Sequence, residues 1–340
     1  MIEDNKNKYS SKKTYEAYNI MKNHTICFFI WRTSMEEILD YLDENIKSEI
    51  KKYIYGLHDI EEIRLRANKP IIIKNSKGNS ILIHIISKEE LQETFQKICE
   101  HSIYSYQKQI CEGFITIKGG HRVGITGSCV IENDKIININ YISSLNIRIA
   151  REKKNVSNNI LKYVIDGKDI YNTIIVSKPG CGKTTLLRDL VRKLSTGIEE
   201  YSFKGKTCGI IDERGEIAAM YKGIPQNDIG ILSDVLENSS KSDGVRMLIR
   251  SMCPDIIVCD EIGKKEDIDA IVYAMCSGVK GIFTVHGNSL TELYLNKEIK
   301  DLLEKSMIET IIFLDEKKRG EIKDVYTLNK KNKKYISVLN

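Results

Sequence analysis

The segment Ile174-Ile175-Val176-Ser177-Lys178-Pro179-Gly180-Cys181-Gly182-Lys183-Thr184-Thr185 decides the fold. Its opening apolar run, without polar alternation, reads as a strand buried on both faces, and Lys183 to Leu194 reads as a helix. The glycine loop between them leaves backbone N–H groups bare to wrap phosphates, and the helix start adds a favourable dipole. In such a phosphate-binding loop, or P-loop, Lys183 would reach the β- and γ-phosphates of ATP and the Thr184 hydroxyl would ligate Mg²⁺. Residues Ser177 to Thr185 are therefore the expected nucleotide cradle. Ser177 departs from the pattern G-x-x-x-x-G-K-S/T, where a glycine usually stands. A chance G-K-T at a helix start is the plain alternative, and the buried strand before it argues against chance.

Downstream, Asp255-Ile256-Ile257-Val258-Cys259-Asp260-Glu261 is a second apolar strand ending in two carboxylates. An acid at the carboxyl end of a strand in an α/β sheet faces the ligand crevice. Asp260 suits the second Mg²⁺ contact, through water, and Glu261 suits the base that orients or deprotonates the attacking water. Asp212-Glu213 also ends a strand, Cys208 to Ile211, and Glu213 rivals Glu261 if that strand neighbours the P-loop strand. The placement favours Glu261. His286 follows Ile282 to Val285 at another strand end; it is a candidate γ-phosphate sensor, with a strand-capping role as the alternative.

These segments belong to an alternation of strand and helix that predicts a parallel sheet covered on both faces. Two late runs, Glu309 to Leu314 and Ile322 to Leu328, flank Lys317-Lys318-Arg319-Gly320 and read as a closing hairpin. Further upstream, Ile38, Leu42, Ile46, Ile50 and Ile54 recur every four positions from Met35. They predict one amphipathic helix, opened by a Ser34/Glu37 capping box and stopped by Gly56. Runs at Ile71–Ile73 and Ile81–Ile83 read as strands, Ser87-x-x-Glu90 opens a second helix, and Gly113 to Ile149 is β-rich. Residues 1–34 read as a poorly ordered extension, or as sequence ahead of a true start at Met35. The expected fold class is α/β: a C-terminal RecA-like P-loop NTPase domain (151–340) with a parallel sheet, preceded by a smaller mixed α/β domain (35–150).

Composition sets bounds on partners. A formal charge of +5 on 340 residues neither argues for nucleic acid nor excludes a membrane surface. None of the nine cysteines forms a C-x-x-C pair, so no zinc site is expected, and mostly buried free thiols in a reducing cytoplasm are. The apolar run Ile26 to Trp31 is far shorter than the ~20 residues of a membrane span. A nucleic-acid-dependent ATPase is the rival reading, since Lys330-Lys331-Asn332-Lys333-Lys334 and Lys317-Lys318-Arg319 could meet phosphates. The tail carries a single aromatic, Tyr335, where base stacking wants several, so a solvated charge run is the preferred account and no obligatory nucleic acid is expected.

Five longer motifs resemble one family. They are Phe114 to Gly124 (FITIKGGHRVG), Ser144 to Arg151 (SLNIRIAR), Ile211 to Ala218 (IDERGEIA), Ile249-Arg250-Ser251-Met252 with Pro254, and Asp260-Glu261-Ile262-Gly263. In this order they resemble the stage III sporulation protein AA family, which is similar to the ATPases of type II and type IV secretion and pilus machines. The resemblance implies a homo-hexameric ATPase on the mother-cell side of a channel to the forespore. There it would be cytoplasmic and recruited by membrane proteins of the channel. It also implies that arginines of the N-terminal domain reach nucleotide, with Arg122, Arg148 and Arg151 as the matching candidates. The chain departs from the family pattern at Leu232-Ser233 before Asp234-Val235-Leu236, and at Glu237 to Ser240.

Overall fold

The computed structural model describes residues 35–54 and 60–339. They divide into two compact units that meet in sequence between Ala150 and Arg151. The expected extension, Ser34 and Gly56 lie outside the described residues.

In the first unit, strands β1 (Ile60–Arg66), β2 (Pro70–Asn75), β3 (Gly78–Ile85), β4 (Phe114–Ile117), β5 (His121–Glu132) and β6 (Lys135–Arg148) form one sheet. Its order is β3-β2-β1-β6-β5-β4, and every neighbouring pair is antiparallel. Alternate residues such as Ile63, Leu65, Ile71, Ile73, Val123, Leu145 and Ile147 bury one face against helices α1 (Glu44–Ile54) and α2 (Lys88–Ile98). Helix α2 opens on the expected capping box, with Ser87 accepting from the Glu90 amide and Glu90 accepting from Ser87 N.

The single helix expected from Met35 is broken. A short helical segment at 35–39 gives way to a turn, and α1 starts afresh at Glu44. The cause is buried Asp43, whose carboxylate accepts from the Asn45 amide at 2.8 Å while its own amide donates to Thr94 Oγ1 at 3.0 Å. This local cap competes with helix continuation, yet Ile38, Leu42, Ile46 and Ile50 all remain in the core.

The second unit is an α/β layer structure. The strands of its main sheet are β7 (Thr173–Ser177), β8 (Cys208–Asp212), β9 (Ser233–Glu237), β10 (Ile256–Cys259), β11 (Lys280–His286), β12 (Thr310–Leu314), β13 (Ile322–Asn329) and β14 (Lys334–Ser337). They lie in the order β9-β8-β10-β11-β7-β12-β13-β14. From β9 to β12 all pairings are parallel, while β13 and β14 add antiparallel strands at one edge. Both faces are apolar because successive residues point to opposite sides. Ile175, Ile210, Val258, Ile282 and Ile312 pack with helix α3 (Lys183–Thr196). Ile174, Val176, Ile257, Cys259 and Phe283 pack on the other side with α4 (Lys241–Met252) and α5 (Lys265–Cys276).

The order overturns one condition set by the sequence. Strand β8, which ends in Asp212 before Glu213, does not neighbour the P-loop strand β7; β10 and β11 lie between them. The closing hairpin is in fact a three-stranded meander, since the basic run 330–333 turns the chain into β14. Every cysteine among the described residues is a free thiol, but Cys129, Cys253 and Cys276 are exposed, against the expectation of mostly buried thiols. Among the described residues no helix is long and apolar enough to cross a membrane.

The start of the second unit is pinned to α3 by Asp189. This buried carboxylate accepts from the amides of Asn155 (3.0 Å) and Ser157 (2.8 Å), from Ser157 Oγ (2.6 Å) and from Arg192 Nη2 (2.7 Å). Burial works to raise its pKa, but these donors outweigh burial and hold it below the ordinary aspartate value. Asp189→Ala orphans buried donors and is expected to cost about 3 kcal/mol in urea unfolding at pH 7. With a depressed folded pKa, that stabilisation is complete above the unfolded value of about 4 and is lost as pH falls through the folded one. The gap between wild type and variant should therefore narrow in acid.

Candidate functional site

Strands β7, β10 and β11 end at the same edge of the sheet, and their register gathers the site. In β11, Val285 pairs with Val176 and His286 with Ser177 of β7, while Cys259 of β10 pairs with Phe283. Ser177, Asp260, Glu261 and His286 therefore come together at the carboxyl edge, as the crevice rule for parallel sheets requires.

The loop Lys178-Pro179-Gly180-Cys181-Gly182 has a backbone that could cradle an anion. Gly180 and Gly182 have φ of 79° and 94°, a region that side chains disfavour. Gly182 is the N-cap of α3 and supplies no side-chain cap, in contrast to Ser87 at α2 and Ser240 at α4. The first-turn amides of a 14-residue helix are thereby left to an anion. Thr184 and Thr185 follow in that first turn. Ser177 lies in extended strand geometry rather than at positive φ, so a Cβ is accommodated where the usual motif has glycine.

Lys183 is buried and donates from Nζ to the carbonyls of Ser177 (2.8 Å) and Lys178 (3.1 Å). Burial pulls its pKa below the ordinary lysine value, and the charges of Asp260, Glu261 and Cys181 work against that shift. A third contact, 3.1 Å to His286 Nδ1, identifies that nitrogen as an acceptor, because a lysine ammonium only donates. The imidazole proton then sits on Nε2, which is 3.0 Å from Glu261 Oε1. His286 is thus the link between Lys183 and Glu261.

Thr184 Oγ1 donates to Asp260 Oδ2 at 2.6 Å. A hydroxyl and a carboxylate in contact at the mouth of an anion cradle are the oxygen donors that a hard divalent cation prefers. These residues fit Mg²⁺ as the loop fits a triphosphate. Thr284, in the interior of β11, holds both acids: its Oγ1 accepts from the Glu261 amide at 2.8 Å and donates to Asp260 Oδ1. Glu261 itself has φ of 51°, a left-handed conformation that costs energy in a non-glycine residue and aims its carboxylate out of the strand line.

Glu213 stands beside this group in a cleft shared with Asp212, Arg214, Glu216, Lys241, Asp260 and Glu261. It is ion-paired with the buried Lys241 of α4. Burial works to raise its pKa, but Lys241, with help from Lys264 and Arg214, holds it below the usual glutamate range. Both carboxylates are ion-paired, Glu213 to Lys241 and Glu261 to Arg214. Of the arginines, Arg122 and Arg148 are cross-strand partners in β5 and β6. Arg122 lies 4.2 Å from the Phe114 ring centroid and Arg148 Nε lies 4.0 Å from Glu62. Arg151 is the first residue of the second unit and is exposed.

Sequence reasoning missed Thr284, Arg188, Arg214, Lys241 and the contact that the hairpin turn 315–321 makes with the glycine loop. That turn braces the outside of the loop, with Gly320 N donating to Cys181 O at 3.1 Å and Lys178 paired to Glu316 at 2.9 Å. A polar Thr284 between buried Phe283 and Val285 was a readable signal; the others act across the fold and left none. Ser177→Gly tests the loop geometry. It is expected to lower stability by about 0.5–1 kcal/mol without improving nucleotide affinity, checked by urea midpoint and calorimetric titration. A large gain in affinity would mean that the serine constrains the loop.

Among known proteins, the family model for sporulation stage III, protein AA matches residues 32–335. Stage III sporulation protein AA of Bacillus subtilis (strain 168) is 37% identical over 296 residues, covering 86% of this chain and 95% of that protein. Of solved structures, the ATPase DotB of Legionella pneumophila superposes with a TM-score of 0.55 at 17% identity, covering 81% of this chain and 78% of that one. The pilus retraction motor PilT, with ADP bound, superposes with a TM-score of 0.50 at 16% identity, covering 78% and 76%. The structural likeness establishes a fold shared with DotB and PilT, and the family model with the Bacillus relative shows that this chain belongs to the sporulation stage III protein AA family.

Proposed function

We propose that this chain is a Mg²⁺-dependent ATPase that powers a secretion-like channel in sporulation. The observation that carries the reading is the hydrogen bond between Thr184 and Asp260 at the mouth of the glycine loop, with Glu261 next in the chain. The loop amides and the start of α3 would hold the phosphates, and Lys183 would exchange its carbonyl contacts for β- and γ-oxygens. Mg²⁺, held by Thr184 and Asp260, would neutralise charge on the phosphates when bound.

Glu261 would then accept a proton from water as the water oxygen attacks the γ-phosphorus and the bond to the β–γ bridging oxygen breaks, releasing ADP and phosphate. His286 would report on the γ-phosphate through its contacts to Lys183 and Glu261. Arg122, Arg148 and Arg151 are our candidates for a further cation on the γ-phosphoryl oxygens. The fold shared with DotB and PilT supports a motor working as a homo-hexameric ring. Family membership supports a place beside the membrane on the mother-cell side, through protein partners of the channel.

Steady-state hydrolysis by the full chain tests the reading, with Lys183→Ala as the blank. Activity should require Mg²⁺, rise more steeply than linearly with protein concentration, and ignore single-stranded DNA. Glu261→Gln should lower kcat about 100-fold or more, and Glu213→Gln much less. The reverse order would hand the base role to Glu213. Stimulation by single strands that vanishes in the blank would replace the channel motor with a nucleic-acid-dependent ATPase, and no hydrolysis above the blank would sink both.

A further inference from the structure

The loop after β8 touches both ends of the site, although the proposed reaction gives it no part. It hangs from buried Asp212, whose carboxylate accepts from the amides of Glu216 (2.8 Å), Ile217 (3.1 Å) and Ala218 (2.9 Å). Arg188, one helical turn beyond Thr184 on α3, donates Nε to Ile217 O at 2.8 Å and Nη2 to Glu216 O at 2.6 Å. The loop is therefore strapped to the phosphate-loop helix. From the same loop Arg214 reaches back to ion-pair with Glu261 Oε2, while His286 Nε2 takes Oε1.

We propose that Arg214 is a positioning residue that fixes the Glu261 carboxylate from the side opposite His286, and that Arg188 ties this clamp to the P-loop helix. The left-handed backbone of Glu261 sets where its Cα lies, but the side chain keeps several torsions. Two clamps, one on each oxygen, remove that freedom. The neighbouring carboxylate of Glu213 is already taken by Lys241. The Arg214 side chain is 64% exposed, so the pair adds little to stability and its consequence is geometric. The inference rests on the reading of Glu261 as the base, and it names how that base is held.

Arg214→Ala is therefore expected to fold with an unchanged melting temperature and to lower kcat about 10- to 100-fold, as a misplaced group does. The KM for ATP should stay within about twofold, the mark of an interaction needed in the transition state. Arg214→Lys should recover much of the rate, and in a Glu261→Gln background Arg214→Ala should add no further loss. An unchanged or raised kcat, or a full extra loss in that background, would overturn the proposal. A crystal structure of Arg214→Ala decides the geometry without turnover. There the Glu261 carboxylate should leave His286, and a carboxylate still in place would refute the clamp. Wild type no faster than Lys183→Ala would instead count against the ATPase reading, and the crystal structure would still decide the clamp.

Discussion

Everything at this site depends on the contact between Thr184 and Asp260, and that contact depends on strand register. Thr184 opens the helix that follows β7 and Asp260 directly follows β10; these strands are not neighbours, and β11 lies between them and pairs in parallel with both. A slip of one residue in either pairing would turn every side chain of the strand to the opposite face. Close packing resists such a slip, because Ile174 and Val176 are fitted into one core and Ile175 into the other. The core thus positions the chemistry, and the same intervening strand supplies His286 and Thr284.

The polar groups at the site are paired in series. Lys183, His286, Glu261 and Arg214 form a line in which each group meets its complement, and Lys241 with Glu213 forms a second pair beside it. Lone charges in this half-buried cleft would be costly, whereas paired ones are tolerated. The arrangement also keeps a lysine with a depressed pKa against loop carbonyls, where an incoming phosphate can recruit it.

Much of this was legible in local sequence. The P-loop strand and helix, the strand ending in Asp260, the strand ending in His286 and the capping box at Ser87 all rest on spacing within a few residues. Strand order was not legible, since crossover connections carry no local mark of which strands will pair. That is why the rivalry of Glu213 hung on whether its strand neighbours β7, which it does not. The helix break at Asp43 was hidden because the four-residue apolar spacing runs straight through it, while its cause, Thr94, is 51 residues away. Strand β9 escaped notice because Ser233-Asp234-Val235-Leu236-Glu237 is half-buried at an edge and not strongly apolar. Arg188 and Arg214 act through contacts made only after folding.

The central claim is that Thr184 and Asp260 form a magnesium site serving a triphosphate. Calorimetric titration of a non-hydrolysable ATP analogue, with and without Mg²⁺, into wild type and Asp260→Asn tests it most directly. The account predicts that Mg²⁺ tightens binding to wild type by about tenfold or more, corresponding to ~1.4 kcal/mol, and does so far less for the variant. Equal tightening in both proteins, or none in wild type, would contradict it.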